Sequence, residues 1–140
     1  MKSFNFSNLN EKQRSELMSK IRSKNTRLEV DFFRKLQKGI GNNFQTHIKT
    51  IRGTPDIVFR KHKVCVFIDS DFWHGWQYPR WKNKLKNNFW KDKIENNRKR
   101  DRKVTKYLRE HDWTVIRIWE HQLKKDQPFY LEKIRKFLLR

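Results

Sequence analysis

The chain has 140 residues, enough for one domain and too few for two independent cores. Lys and Arg number 35 against 15 Asp and Glu, so the formal net charge is +20 and nucleic acid is the expected partner. Hydrophobic residues make up only 35%, yet six Trp, eleven Phe and three Tyr exclude the disordered class, which is poor in aromatics. No apolar run approaches the length of a membrane span, and Met-Lys-Ser-Phe-Asn-Phe opens without a signal-peptide apolar region, so membrane association and export are not expected. Cys65 is the sole cysteine, which excludes an intramolecular disulfide and any zinc site built on several thiolates. A reducing cytoplasm is the expected compartment.

Asn10 to Gln13 reads as a capping box ahead of Leu17, Met18 and Ile21, predicting a first helix to about Ser23, with residues 1–9 as a flexible lead-in. Thr26 to Glu29 is a second capping box, and Leu28, Phe32, Phe33 and Leu36 share one helical face before Gly39 and Gly41 stop it. From Phe44 the period changes to two: Phe44, Thr46 and Ile48 alternate with polar neighbours, and Gly53-Thr-Pro55 turns the chain into Asp56-Ile-Val-Phe59. Val64 to Ile68 is too short for a helix and too continuously apolar for an edge, hence a central strand. Asp69 to Trp81 reads as an irregular aromatic loop, Asn83 to His111 as a helix, Trp113 to Trp119 as a strand with Val115 opposite Ile116 and Ile118, and Pro128 as the opening of a final helix. The order is ααβββαβα, an α/β class in a single domain spanning residues 1–140.

Between Arg80 and Arg109 stand thirteen Lys or Arg against Asp92, Glu95 and Asp101, a net +10. A solvated helix face is the plain reading; a one-signed helix interleaved with Trp81, Phe89 and Trp90 also suits a surface that tracks phosphates, with Arg98 and Lys99 among its cations. Asp56 opens one strand while Asp69 and Asp71 close the next, so a hairpin brings carboxylates toward one sheet edge, where they suit Mg²⁺ and the activation of water at a phosphodiester. Turns favour Pro and Asp in any case. His74 follows those acids and is the side chain best suited to move a proton near neutral pH, the plain alternative being a loop histidine without a role. Glu29 is equally accounted for by the capping box. His47, His62, His111 and His121 have weaker contexts.

Taken jointly, Arg22-Ser-Lys-Asn25 with Glu29, Gly53-Thr-Pro-Asp56, Phe72-Trp-His74, Phe89-Trp90 with Lys93-Ile94 and Asn97, Arg100-Asp101, and Trp113 through Trp119-Glu120 resemble the very-short-patch-repair (Vsr) mismatch endonucleases over roughly Arg14 to Leu139. That family is a branch of the PD-(D/E)XK nucleases, and the resemblance implies a restriction-endonuclease-like fold, a mixed central sheet flanked by helices. It implies that Asp56 binds the catalytic Mg²⁺ with the main-chain carbonyl of Ile68, that His74 is the general base, and that Glu29 is an active-site glutamate. Phe72, Trp73 and Trp90 take the places of rings that wedge beside a T·G mismatch, Met18 matches an apolar residue on the other side, and Lys93 and Asn97 fall where the family recognises DNA. The implied reaction is nicking of one strand of double-stranded DNA 5′ to the mispaired thymine. Mismatch-repair proteins and a cytosine methyltransferase are the implied partners, in a bacterial-type cytoplasm at the nucleoid, with a monomer as the expected state.

The chain departs from the family at two places. Cysteines and a histidine that hold a structural zinc in the best-known members are replaced by Asp71, Trp76, Tyr78 and His121, so no zinc of that type is expected and packing of Trp76 and Tyr78 is expected to hold the loop. A histidine usual after the second catalytic strand is here Asp69, an expected direct or water-mediated metal contact. Two other functions compete: a restriction-like or structure-selective endonuclease without mismatch preference, and a non-catalytic DNA-binding module.

Overall fold

The computed structural model describes residues 26–84 and 88–139. The helix expected up to Ser23, with Met18 on it, and the lead-in 1–9 lie outside these residues. Helix α1 (Arg27–Ile40) starts where the side chain of Thr26 accepts a hydrogen bond from the Glu29 N–H and ends where the Gly41 N–H donates to the Gln37 carbonyl. Its apolar stripe buries Phe32 and Leu36 completely.

Four strands follow, β1 (Gln45–Thr46), β2 (Ile57–Phe59), β3 (Val64–Asp69) and β4 (Thr114–Trp119), hydrogen-bonded in that order. β1 with β2 and β2 with β3 are antiparallel; β3 and β4 run parallel over six residues, from Val64 opposite Thr114 to Asp69 opposite Trp119. A parallel pair needs a long crossover. Here it carries a short helix α2 (Tyr78–Trp81), a 3₁₀ turn at Lys82–Lys84, and the long helix α3 (Asn88–Glu110). After β4 come α4 (Glu120–Lys125) and α5 (Gln127–Leu138), the latter capped by Asp126, whose side chain accepts from the Phe129 N–H.

The two-residue period of the strands sorts the core into two layers. Val64, Val66, Ile68, Ile116 and Ile118 face Phe32 and Leu36 of α1, Leu123 of α4 and Ile134 of α5. Cys65, Phe67 and Val115 face Val104 and Leu108 of α3 on the opposite side. The sheet is therefore sandwiched between helices, the mixed α/β arrangement expected of a restriction-endonuclease-like domain, and all six residues of β3 are buried at its centre. Among the described residues no helix is long and apolar enough to cross a membrane.

Four elements differ from the periodicity. The strand expected over residues 44–48 is only Gln45–Thr46, because His47 adopts φ +49 and leaves the extended conformation. The aromatic loop contains α2, with Pro79 in its first turn, and α4 precedes the final helix. Among the described residues, the helix expected from Asn83 shows a 3₁₀ turn at Lys82–Lys84 and is α-helical over Asn88–Glu110. Two glycines fix the loops against α3: a Cβ on Gly53 (φ +84) would lie 2.5 Å from Val104 Cγ1, and one on Gly75 (φ +71) 2.9 Å from Ile94 Cγ2.

Candidate active site

Asp56 sits at the start of β2, where its N–H donates to the Val66 carbonyl (3.0 Å) and its Oδ2 accepts the Ile68 N–H at 2.7 Å. The carboxylate is thus braced across two strands and only 6% exposed. Its Oδ1 lies 3.4 Å from His47 Nε2, which is 3.5 Å from Glu29 Oε2. Glu29 is 2% exposed, so the capping residue has a divided role: its N–H completes the cap while its carboxylate enters this cluster.

A second cluster lies at the end of β3. Arg117, projecting from β4, donates through Nη1 to both oxygens of Asp69 (2.9 and 3.1 Å), through Nε to Thr105 Oγ1 (2.7 Å), and through Nη2 to the Asp101 carbonyl (3.4 Å). Its guanidinium also lies 4.2 Å from the Phe67 ring. Asp69, expected as a direct or water-mediated metal contact, is paired with Arg117 through both carboxylate oxygens. Burial still pushes the Asp69 pKa above the usual carboxylate value, against the pull of Arg117 and His74.

His74 is held by its N–H to the Ser70 carbonyl and by a short Nδ1 contact of 2.5 Å to Asp101 Oδ2, with Asp69 Oδ1 at 3.7 Å. Burial disfavours its protonation, but the hydrogen bond to Asp101 and the charges of Asp69 and Asp101 outweigh it, so its pKa is raised. An imidazole donating from Nδ1 to a carboxylate carries its lone pair on Nε2. Asp56, Ile68, Asp69, His74, Asp101 and Arg117 all line one cavity of about 320 Å³. The site thus offers a braced carboxylate beside an oriented imidazole, which is the equipment for holding a hard cation and moving a proton. Oxygen donors on Asp56 and Glu29 fit Mg²⁺ chemically.

The expected DNA-contacting residues divide. Phe72, Trp73 and Trp90 are 2, 7 and 0% exposed and pack with Trp81 in one aromatic cluster, centroids 4.7 to 6.0 Å apart. The free flat surfaces expected of them are buried, because rings of this size are worth most to the fold when packed together. The exposed ring on the basic helix is Phe89, at 51%. Lys93 is exposed, with Nζ 5.0 Å from the Trp73 ring, and Asn97 donates to the Trp73 carbonyl at 3.0 Å, so both connect α3 to the loop bearing His74. Arg98 lies 5.4 Å from the Tyr78 ring, and Lys99 is exposed with Arg100, Arg102, Lys103, Lys106 and Arg109 along α3.

The residues at the family's zinc positions do not fit such an ion. His121 Nδ1 pairs with Asp71 Oδ1 at 2.7 Å, Trp76 packs on His121 with centroids 4.2 Å apart, and the Tyr78 hydroxyl donates to Glu95. An indole is no ligand, and two donors do not make a four-ligand site. Cys65, inside the central strand, has its thiol pushed up to about 12 by burial.

Sequence reasoning gave no site role to His47, Asp101 or Arg117. A charged residue between Ile116 and Ile118 in a buried strand was a signal for Arg117; Asp101 is hidden among cations on α3, and His47 depends on a backbone turn that periodicity does not report.

Residues 7–80 match the family model described as DNA mismatch endonuclease Vsr. The chain is 36% identical over 129 residues to the type II nicking enzyme V.NmeDIP of Neisseria meningitidis serogroup C, covering 91% of this chain and 86% of that protein. It is 35% identical over 128 residues to the type II nicking enzyme V.HpaIIP of Haemophilus parainfluenzae, covering 89% and 90%. A third relative, the type II nicking enzyme V.XorIIP of Xanthomonas oryzae pv. oryzae, is 38% identical over 125 residues, covering 82% and 85%. The chain belongs to the Vsr family and is a DNA endonuclease.

Proposed function

We propose that this chain nicks one strand of double-stranded DNA 5′ to the mispaired thymine of a T·G mismatch, using Mg²⁺. The observation that carries the reading is the shared cavity, in which Asp56 braced by the Ile68 N–H faces the same space as the His74–Asp101 pair. Asp56, the Ile68 carbonyl and Glu29 are the residues that would hold the ion, which when bound supplies Lewis-acid stabilisation of phosphodiester charge. His74 Nε2 accepts the proton of the attacking water, and Asp101 fixes the ring and stabilises its charged form. Arg117 keeps Asp69 and Asp101 in place behind it. The exposed cations of α3 neutralise DNA phosphates, while Lys93 and Asn97 read the site next to the aromatic loop.

Mismatch selection by Phe72, Trp73 and Trp90 requires their cluster to open onto the duplex. Unstacking a base step costs a few kcal/mol, and less at a mismatch, so an opened cluster favours the weakened step. The burial of these rings favours a second reading, a nicking endonuclease that selects by sequence or DNA structure without mismatch preference. The nicking activity named for the relatives supports single-strand cleavage in either case. A bacterial-type cytoplasm at the nucleoid, a monomeric state, and partnership with mismatch-repair proteins and a cytosine methyltransferase complete the proposal. Strand-resolved cleavage of matched, T·G-mismatched and branched duplexes of one flanking sequence separates the readings. Preferential nicking of the thymine strand at T·G supports the first, and equal cleavage of matched duplex refutes it.

A further inference from the structure

The chemistry above leaves His47 unused, although it stands between the two buried carboxylates. Its backbone is held at φ +49, a conformation uncommon outside glycine, by two bonds across the hairpin: its N–H to the Asp56 carbonyl (3.1 Å) and the Ile48 N–H to the Pro55 carbonyl (3.3 Å). The Phe33 ring packs edge-on against the imidazole, centroids 5.8 Å apart. Helix α1, the end of β1 and the start of β2 therefore each deliver one side chain to the same point.

The three side chains converge closely enough there to share an ion. His47 Nε2 lies 3.5 Å from Glu29 Oε2 and 3.4 Å from Asp56 Oδ1. One donor atom from each of the three lies within 4.8 Å of the others. Metal bonds of about 2.0–2.2 Å put neighbouring donors roughly 3.0–3.5 Å apart, which matches the two distances from His47.

We propose that His47 Nε2 is a direct ligand of the divalent cation bound by Asp56 and Glu29. The proposal rests on the reading of Asp56 as metal ligand and changes the character of its site. Two carboxylates and one imidazole form a mixed oxygen and nitrogen donor set. Mg²⁺ prefers oxygen donors and retains its waters, whereas imidazole ligation favours the later divalent ions. The site therefore binds Mn²⁺ and Co²⁺ more tightly than Mg²⁺, and His47 supplies much of that preference.

The test uses the full chain without DNA, loaded with Mn²⁺ and examined by pulsed electron paramagnetic resonance for nitrogen coupling, alongside calorimetric titrations with Mn²⁺, Co²⁺ and Mg²⁺. The parent shows coupling to one directly bound imidazole nitrogen. His47→Gln loses that coupling and weakens Co²⁺ binding on the order of tenfold, with a smaller loss for Mg²⁺; His74→Gln keeps the coupling. Asp56→Asn loses Mn²⁺ binding in every outcome that preserves the reading of Asp56. Asp56-dependent Mn²⁺ without nitrogen coupling, or coupling lost in His74→Gln, overturns the assignment of His47 and leaves Asp56 standing. Mn²⁺ held equally well by Asp56→Asn overturns both. If His47→Gln does not fold, the parent and His74→Gln spectra still decide the question.

Discussion

Replacing Arg117 by Met removes one cation and leaves a chain of similar length in its place. The arginine ties β4 to the end of β3 and to α3 through two bonds to Asp69, one to Thr105 and one to the Asp101 carbonyl. Asp69 is the partner with least recourse to water, its side chain being 7% exposed against 22% for Arg117. Removing one member of a buried pair costs about 3–5 kcal/mol, chiefly because the remaining charge is left in a poor solvent. For a chain of this size that lowers Tm by on the order of 10 °C. The loss has a definite pH dependence. Burial already raises the Asp69 pKa in the folded state, and without Arg117 it rises further above the unfolded value. A raised folded pKa means that the folded state binds the proton more tightly, so the penalty is full above that pKa and is relieved as pH falls through it. Chemical denaturation of the parent, Arg117→Met, Asp69→Asn and the double variant at two pH values measures this directly. The double variant should recover part of the loss, since neutral Asn leaves no bare charge. An Arg117→Met protein within 0.5 kcal/mol of the parent, with the same pH dependence, would refute the ion-pair account.

Asp101→Asn should shift the acid limb of the nicking-rate profile to lower pH and lower its plateau: a base acts when neutral, and Asp101 holds the His74 pKa up. Single-turnover rates across pH 5–9 check this. Trp90→Ala should cost about 3–5 kcal/mol of stability, the usual loss for a buried Trp, and depress binding to matched and mismatched duplexes together; melting and affinity measured side by side test whether the cluster is core or wedge. Charge reversal at Lys99, exposed on α3, should reduce the slope of log affinity against log salt by about one contact, with little change in Tm.

The parts of the fold that depend on apolar periodicity were legible in the sequence. The Thr26 cap, the stripe of α1, the continuous apolar run of β3 and the alternation of Val115 with Ile116 and Ile118 each reflect a single interface and appear where expected. The candidate site was legible in Asp56 and Asp69 at strand ends, in His74 in a turn and in Glu29 at a helix start. Its supporting residues come from distant segments, and their pairing follows from topology: Arg117 meets Asp69 because Asp69 is opposite Trp119 in the parallel register, two residues beyond Arg117. Aromatic richness in residues 72–81 signalled importance but not direction. The same rings serve a core or a binding face, and their burial depends on how the crossover docks on α3, as Gly75 allows.

Asp56 is the residue on which the catalytic account depends. Under single-turnover conditions with Mg²⁺, a T·G duplex labelled separately on each strand should be nicked by the parent on the thymine strand alone. Asp56→Asn, which removes a charge and little volume, should bind the same duplex with nearly unchanged affinity and leave both strands intact. Sustained Mg²⁺-dependent nicking by Asp56→Asn, in a preparation whose melting matches the parent, would contradict the account.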